Sequence, residues 1–341
     1  MTRESIERVV GAVVAPSGPA ETRPTAISVR GLTKRYGAVT ALNGLDLEVP
    51  AGAVFGFLGP NGAGKTTALS ILAGLSHPDG GEARICGHDV VADGMAVRRR
   101  IGFLRQDPRF YTWMTGREVL QFTGRFFDLT AAELDRQADE LLALVDLSGA
   151  ASRTMGTYSG GMRQRLGIAQ ALMGQPEVLL LDEPCSSLDP AGRLEVIQIM
   201  ERLRGTITVF YSTHILQDVE RVADAVAITA RGRTVMQGTL RELLAGSRTT
   251  LLVEVEGDPV DLIAVLRRER SIQSVEWEQT GDTALQRLRL EVRDLAAARR
   301  AVPPIVVRSG LLFVGCRPEQ RSLEEVFLDL TDGDSGDITR K

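Results

Sequence analysis

Four short runs of the chain are apolar throughout, except for Thr208 at the start of the last. They are Val54–Leu58, Ile101–Leu104, Val178–Leu181 and residues 208–211. Each is too short for a typical helix and shows no polar face, the pattern of strands buried on both sides in a parallel sheet. Amphipathic stretches at helical spacing separate them. A first strand starts around Ile27, Ser28 and Val29, so residues 25–246 read as one α/β domain. From Thr249 the pattern changes. Residues 251–255, 272–277, 285–292 and 311–314 read as strands, and 260–266 and 294–300 as helices. The order β-α-β-β-α-β predicts a small ferredoxin-like α+β sandwich over residues 249–331. Ser322 with Glu325 three positions on fits a capping box that opens a last helix. Residues 1–24, with Pro16, Pro19 and Pro24 among small residues, and 332–341 read as tails.

Composition narrows the function. Of 341 residues, 43% are hydrophobic and 25% charged, an ordinary globular balance, and the formal net charge is -4. No broad basic surface for nucleic acid follows from that balance, and no nucleic-acid partner is expected. Cys86, Cys185 and Cys316 are far apart and show neither metal-ligand spacing nor a paired framework. A membrane span needs about 20 mainly apolar residues, and the best stretch, 51–77, is broken by Asn61, Lys65 and several glycines. Residues 9–15 are apolar but short, and Glu4 and Glu7 precede them, so a tail is expected rather than a signal peptide. If the protein acts on a membrane, another chain supplies the membrane part.

The first chemical signal is Gly59-Pro60-Asn61-Gly62-Ala63-Gly64-Lys65-Thr66-Thr67. It follows one apolar run and precedes a helical pattern at 68–75. That context is the one a phosphate-binding loop needs: glycines let backbone N–H groups turn inward, and the helix N-terminus adds positive dipole. Lys65 would reach the β and γ phosphates, and the Thr66 hydroxyl would hold Mg²⁺. The second signal is Asp182-Glu183, at the end of the run Val178–Leu181. Ligands in such sheets bind beyond the carboxyl ends of strands, so the pair should emerge beside the loop. Asp182 can hold Mg²⁺, and Glu183 can polarise the attacking water.

The third signal is Tyr158-Ser159-Gly160-Gly161-Met162-Arg163-Gln164-Arg165, ahead of a helix expected at 162–173. Ser159 and the two glycines make a second anion pocket at a helix start. One ATP does not need two such pockets on one face. Two chains facing head to tail resolve this, each ATP lying between the loop of one and the Ser159 segment of the other.

These residues resemble the ABC ATPases, whose signature is usually LSGGQ where this chain has YSGGM. The resemblance covers about 25–245. It implies a P-loop core with a RecA-like parallel sheet, an antiparallel β part and a helical signature insert between Gln106 and Ser159. Further positions match in order. Tyr36 corresponds to the aromatic that stacks on adenine. Gln106 corresponds to the glutamine that senses the γ-phosphate, with Mg²⁺ within its reach. Asp189, in Ser187-Leu188-Asp189, belongs to the loop that crosses the dimer, and His214 corresponds to the switch histidine. Cys185 and Ser187 stand where the family commonly has Thr and Gly. Residues 322–331 resemble the end of exporter ATPases of the daunorubicin-resistance type.

The resemblance implies ATP and Mg²⁺ as ligands and a homodimer, or a dimer with a related ATPase subunit. It also implies an integral membrane permease as partner, with the stroke passing through the groove near residues 106–116. The location would be cytoplasmic, on the inner face of the cell membrane, and the task export of a drug-like or other small molecule. DNA-repair relatives carry a long coiled coil that the interval from Lys65 to Ser159 cannot hold, and translation-type relatives carry two cores. A GTPase or kinase would leave Ser159 and His214 unexplained, and no NKxD guanine motif is present.

Overall fold

The computed structural model describes residues 24–245, 249–278, 285–319, 323–325 and 327. The chain divides into two compact units, residues 1–240 and 241–341.

The first unit opens with β1 (Thr25–Tyr36) and β2 (Val39–Pro50), then β3 (Val54–Leu58) and α1 (Lys65–Leu72). Next come β4 (Gly80–Ile85), β5 (His88–Asp89), α2 (Gly94–Arg98) and β6 (Ile101–Leu104). Three helices follow, α3 (Gly116–Gly124), α4 (Ala131–Leu144) and α5 (Gly160–Ala171). The unit closes with β7 (Val178–Leu181), α6 (Pro190–Leu203), β8 (Thr208–Thr213), α7 (Leu216–Val222), β9 (Ala225–Ala230) and β10 (Arg233–Thr239). The four apolar runs are β3, β6, β7 and β8. They join β9 in a parallel sheet of order β10-β9-β3-β8-β7-β6, with β10 antiparallel at one edge. Every residue of β3, β7 and β8 is buried, which is why none needs a polar face.

A second sheet, β2-β1-β4-β5, is antiparallel. Its inward residues Ile27, Val29, Leu42, Leu45 and Leu47 share one core with Phe55, Phe57 and Phe210 of the parallel sheet. Phe55 and Phe210 stack at 5.8 Å, so the two sheets and α1 are held by one packed layer. The helical insert is α3 and α4. Both start with a capping box, Thr115 with Glu118 and Thr130 with Glu133. Hydrogen bonds from the cap hold the Glu118 and Glu133 carboxyls below their ordinary range, the backbone N–H leading at Glu118 and the hydroxyl at Glu133.

A short helix, α8 (Leu240–Ala245), begins at the division. The second unit then runs β11 (Thr249–Glu256), α9 (Val260–Leu266), β12 (Ile272–Glu278), β13 (Leu285–Val292), α10 (Leu295–Arg308) and β14 (Leu312–Glu319). The strands form one antiparallel sheet of order β12-β13-β11-β14, the ferredoxin-like arrangement. Helix α10 runs through Pro303 and Pro304, well past the expected end at 300. A mid-helix proline costs about 3 kcal/mol. The buried stripe Ala298, Val302 and Val306 packs with Leu251, Val253 and Leu290 of the sheet, and that burial offsets the cost. Ser322 lies outside the described residues, so its capping box has no structural counterpart to examine. No helix among the described residues is long and apolar enough to cross a membrane.

Candidate nucleotide site

The strand order decides the site. Strand β8 lies between β3 and β7, so three carboxyl ends stand side by side: Leu58 before the glycine loop, Leu181 before the acid pair, and Thr213 before His214. Leu58 pairs with Thr213, and Leu181 with Tyr211.

The loop from Gly59 to Gly64 is tied to its surroundings by backbone hydrogen bonds, Gly59 N–H to Thr213 O at 3.3 Å and Gly232 N–H to Ala63 O at 3.1 Å, and is closed on itself by Ala63 N–H to Pro60 O at 3.2 Å. Pro60, Asn61 and Gly62 are exposed at its tip. Gly64 precedes α1 with φ of 98°. A Cβ there would lie 2.5 Å from Ala41 O, so both backbone and space demand glycine. Thr66 and Thr67 fall in the first turn of α1, which starts at Lys65 rather than at 68. Lys65 is 6% exposed. Its ammonium donates to Gly59 O at 2.8 Å and Pro60 O at 3.2 Å, and sits 3.3 Å from Glu183 Oε1.

Asp182 and Glu183 are both buried. Asp182 Oδ1 accepts from Ser212 Oγ at 2.7 Å and from Thr66 Oγ1 at 3.2 Å. Glu183 has φ of 49°, left-handed and strained for a residue with a Cβ. Its N–H donates to Ser212 Oγ at 2.9 Å, and its Oε2 lies 2.8 Å from His214 Nδ1. Glu183 therefore stands between the two cationic or donor groups the sequence singles out, one at each oxygen. Its carbonyl accepts from Ser186 Oγ at 2.9 Å, and Ser186 Oγ in turn is 3.4 Å from Gln106 Nε2.

A cleft of about 1090 Å³ opens beside these groups, lined by Tyr36, Thr66, Ser76, Gln106 and Asp182 among others. Tyr36 is 51% exposed, so it is an open aromatic face rather than a core tyrosine. The strand end carrying it is fixed by Asp79, whose carboxylate accepts from Arg35 N–H at 2.6 Å and Lys34 Nζ at 3.0 Å. Those bonds, the backbone one first, hold the Asp79 carboxyl below the usual range.

The signature segment lies apart from this constellation. Ser159, Gly160 and Gly161 do not line the cleft. Ser159 caps α5, its hydroxyl accepting from Met162 N–H at 3.2 Å, and a Cβ on Gly160 would meet nothing within 4 Å. Asp189 likewise caps α6, accepting from Gly192 N–H at 3.1 Å. Tyr158 is buried, its hydroxyl donating to Ala150 O at 2.8 Å. It fits because residue 116 is glycine: a Cβ there would sit 2.3 Å from the Tyr158 oxygen. Arg163 and Arg165 are structural, donating to Tyr158 O at 2.6 Å and Val145 O at 2.8 Å.

Of the two other departures, Cys185 is 2% exposed, and burial pushes its thiol far above the ordinary range, which makes it an inert core residue. Ser187 adopts φ of 61°, a conformation that a glycine would take without strain. Sequence reasoning overlooked Ser186 and Ser212. The signal for Ser212 is a hydroxyl directly after the apolar residues 209–211 of β8.

Comparison with known proteins decides the family. Residues 42–186 match the model of the family described as ABC transporter. Over 314 residues the chain is 40% identical to the daunorubicin resistance ATP-binding protein DrrA3 of Streptomyces coeruleorubidus, covering 91% of this chain and 97% of that protein. The chain belongs to the ABC transporter family, as an ATP-binding, ATP-hydrolysing subunit. It is also 37% identical to the Nod factor export ATP-binding protein I of Ralstonia nicotianae, over 93% of this chain and 97% of that one. Among solved structures, a dimeric post-hydrolysis state of the ATP-binding cassette MJ0796 bound to ADP and Pi is similar, with a TM-score of 0.57 and 26% identity. It covers 63% of this chain and 99% of that one. The α/β fold with a parallel sheet, expected from the apolar runs, is the ABC cassette fold.

Proposed function

We propose that two copies of this chain close on two Mg-ATP, hydrolyse them and reopen, driving a separate membrane permease that exports a drug-like or other small molecule. The observation that carries this reading is the split arrangement. Lys65, Thr66, Asp182, Glu183 and His214 form one cluster joined by direct contacts and by Ser212. Thr66 and Asp182 of that cluster line the cleft, while Ser159, whose helix start suits an anion, bonds Met162 N–H of its own helix and does not line the cleft. A second copy supplies the missing half.

The roles follow from position. The amides of residues 59–67 and Lys65 hold the β and γ phosphates, and Tyr36 stacks on the base. Glu183 orients the water, and His214 and Gln106 read the γ-phosphate. Ser159, Gly160, Gly161 and Asp189 act on the partner's nucleotide. The Thr66 hydroxyl and Asp182 carboxylate already meet at 3.2 Å. A hydroxyl and a carboxylate are hard oxygen donors that suit Mg²⁺, and the Gln106 side-chain oxygen completes the set this chain offers. When bound there, Mg²⁺ neutralises charge that builds on the phosphate oxygens.

Residues 25–246 form the ATP-binding domain, and 249–331 an accessory domain that supports regulation or dimerisation. The chain works at the cytoplasmic face of the cell membrane, attached through the permease, with contact near residues 106–116. Export is supported by relatives whose names carry drug resistance and Nod factor export.

Mixing tests the dimer. Lys65→Ala and Ser159→Arg are each expected to be nearly inactive. In a mixed dimer one site holds both damaged halves and the other both intact halves, so mixing restores ATP-dependent dimerisation. Full ATPase activity of Ser159→Arg alone, at every protein concentration, would show that one chain completes its own site.

A further inference from the structure

We propose that Ser212 is a positioning residue that locks Asp182 and Glu183 into one unit, so that the metal-holding oxygen and the water-orienting carboxylate move together. The inference rests on the roles given to Asp182 and Glu183 above.

Ser212 is fully buried in β8, between the strand that ends in the phosphate loop and the strand that ends in the acid pair. A serine hydroxyl has one proton to donate and lone pairs to accept with. Here both capacities serve the acid pair. The proton goes to Asp182 Oδ1 at 2.7 Å, a charge-assisted bond, and the oxygen accepts from Glu183 N–H at 2.9 Å. Asp182 Oδ1 is the same oxygen that accepts from Thr66 Oγ1, so Ser212 orients the oxygen that faces the start of α1. The second bond acts on a different property. Glu183 is held with φ of 49°, and its buried amide needs a partner to keep that peptide in place. Ser186 grips the other side of the residue, donating to Glu183 O at 2.9 Å. The side chain that projects from this clamped backbone reaches Lys65 and His214.

A hydroxyl that only filled space, or only satisfied two buried groups, would affect stability and nothing else. A positioning hydroxyl affects the metal requirement and the chemical step separately. Groups that orient ligands of a metal typically change affinity or activity by about 10- to 100-fold when removed. Ser212→Ala is therefore expected to raise the Mg²⁺ concentration for half-maximal ATP hydrolysis about tenfold and to lower kcat by about tenfold or more. Binding of ATP in EDTA, which uses the loop and Lys65, is expected to stay at the wild-type value. Ser212→Thr, which keeps the hydroxyl, is expected to recover most of both losses. A readout free of turnover comes from the Glu183→Gln background. There the Ser212→Ala shift in Mg²⁺ requirement, read by ATP-driven dimerisation and by Mn²⁺ binding in electron paramagnetic resonance, is expected to persist. If Ser212→Ala does not fold, Ser212→Cys, close in size and a weak donor, has to show the same shift.

An unchanged Mg²⁺ requirement in the folded variants overturns the proposal. So does a parallel fall in metal-free ATP binding, which would mark general damage. Asp182→Asn separates the two levels. If Asp182→Asn moves the Mg²⁺ requirement and Ser212→Ala does not, only the positioning role falls. If Asp182→Asn leaves it unchanged, the reading of Asp182 and the role of Ser212 fall together.

Discussion

Replacing Glu183 by glutamine should push binding and turnover in opposite directions. Both Glu183 and Lys65 are nearly shielded from water, and their charged atoms lie 3.3 Å apart. A phosphate that recruits the Lys65 ammonium has to compete with that carboxylate, and the carboxylate also repels an incoming γ-phosphate. A hydrogen bond to a charged group contributes about 1.5–3 kcal/mol. Removing the competing charge returns up to that amount to nucleotide binding, and at about 1.4 kcal/mol per decade ATP should bind roughly ten- to a hundredfold more tightly. ADP should gain less, because it lacks the phosphate nearest Glu183. Turnover should fall by about 10²–10⁴, the contribution of a positioned base. The glutamine side chain keeps a hydrogen-bonding oxygen for His214 Nδ1, which lies 2.8 Å from the Glu183 carboxylate in the native protein, so the fold should be retained. Titration with a fluorescent ATP analogue gives the affinities, single-turnover phosphate release gives the chemical step, and size-exclusion chromatography with ATP reports the trapped dimer. Wild-type hydrolysis in the variant would refute the water-orienting role. Weaker ATP binding would refute the competition for Lys65.

Three further outcomes follow from particular contacts. Ser187→Gly relieves a left-handed residue with φ of 61° and should raise stability by about 1 kcal/mol, seen as a higher denaturant midpoint; no change would mean that the loop is unstrained. Gly116→Ala places a Cβ 2.3 Å from the Tyr158 oxygen and should cost about 1–3 kcal/mol by overpacking. Adding Tyr158→Phe should recover part of that loss, and additive losses would show that the two positions do not meet. Asp218 is buried 3.9 Å from Arg193, and burial raises its pKa above 3.8 despite that arginine. A carboxyl raised in the fold binds its proton more tightly there than in the unfolded chain. Its contribution is therefore complete below the ordinary value and lost as pH rises through the raised one. Asp218→Asn should flatten that decline in a series of denaturant midpoints across pH, and parallel declines in both proteins would refute it.

The parts legible in the sequence are those where one residue type in one place has few alternatives. Strands β3 and β7 were readable because burial on both faces leaves an unbroken apolar run, and β6 and β8 because each carries an apolar stretch. The phosphate loop was readable because its glycines answer local demands, such as the close approach of Ala41 O to Gly64. Strand β1 was visible only at its start. Its pairing with β2 shifts register several times, and each irregularity breaks the alternation that marks a half-buried strand. The capping boxes of α3 and α4 were written in Thr115, Glu118, Thr130 and Glu133, but a Thr with a Glu three residues on recurs in loops unless a helix is already placed. The end of α10 was misplaced because Pro303 and Pro304 are local stop signals, and the packing that overrides them comes from a sheet distant in sequence.

The site itself divides along the same line. Motifs singled out Lys65, Asp182, Glu183 and His214 as the groups expected to carry chemistry. They did not show that Glu183 would offer one oxygen to Lys65 and the other to His214, because that depends on β8 lying between β3 and β7. The same strand order turns Ser212 from one more buried hydroxyl into the contact between the two acids. A serine in an apolar strand has no meaning until its neighbours are known, and those neighbours are set by the parallel crossovers, not by anything within reach along the chain. The departures from the family pattern behave in the opposite way. Tyr158 looked like a change in the nucleotide-facing signature, yet its side chain points into the core, beneath Gly116 and against Ala150. Ser159, Gly160 and Gly161, the residues that the proposed dimer would present to a partner chain, keep the family pattern.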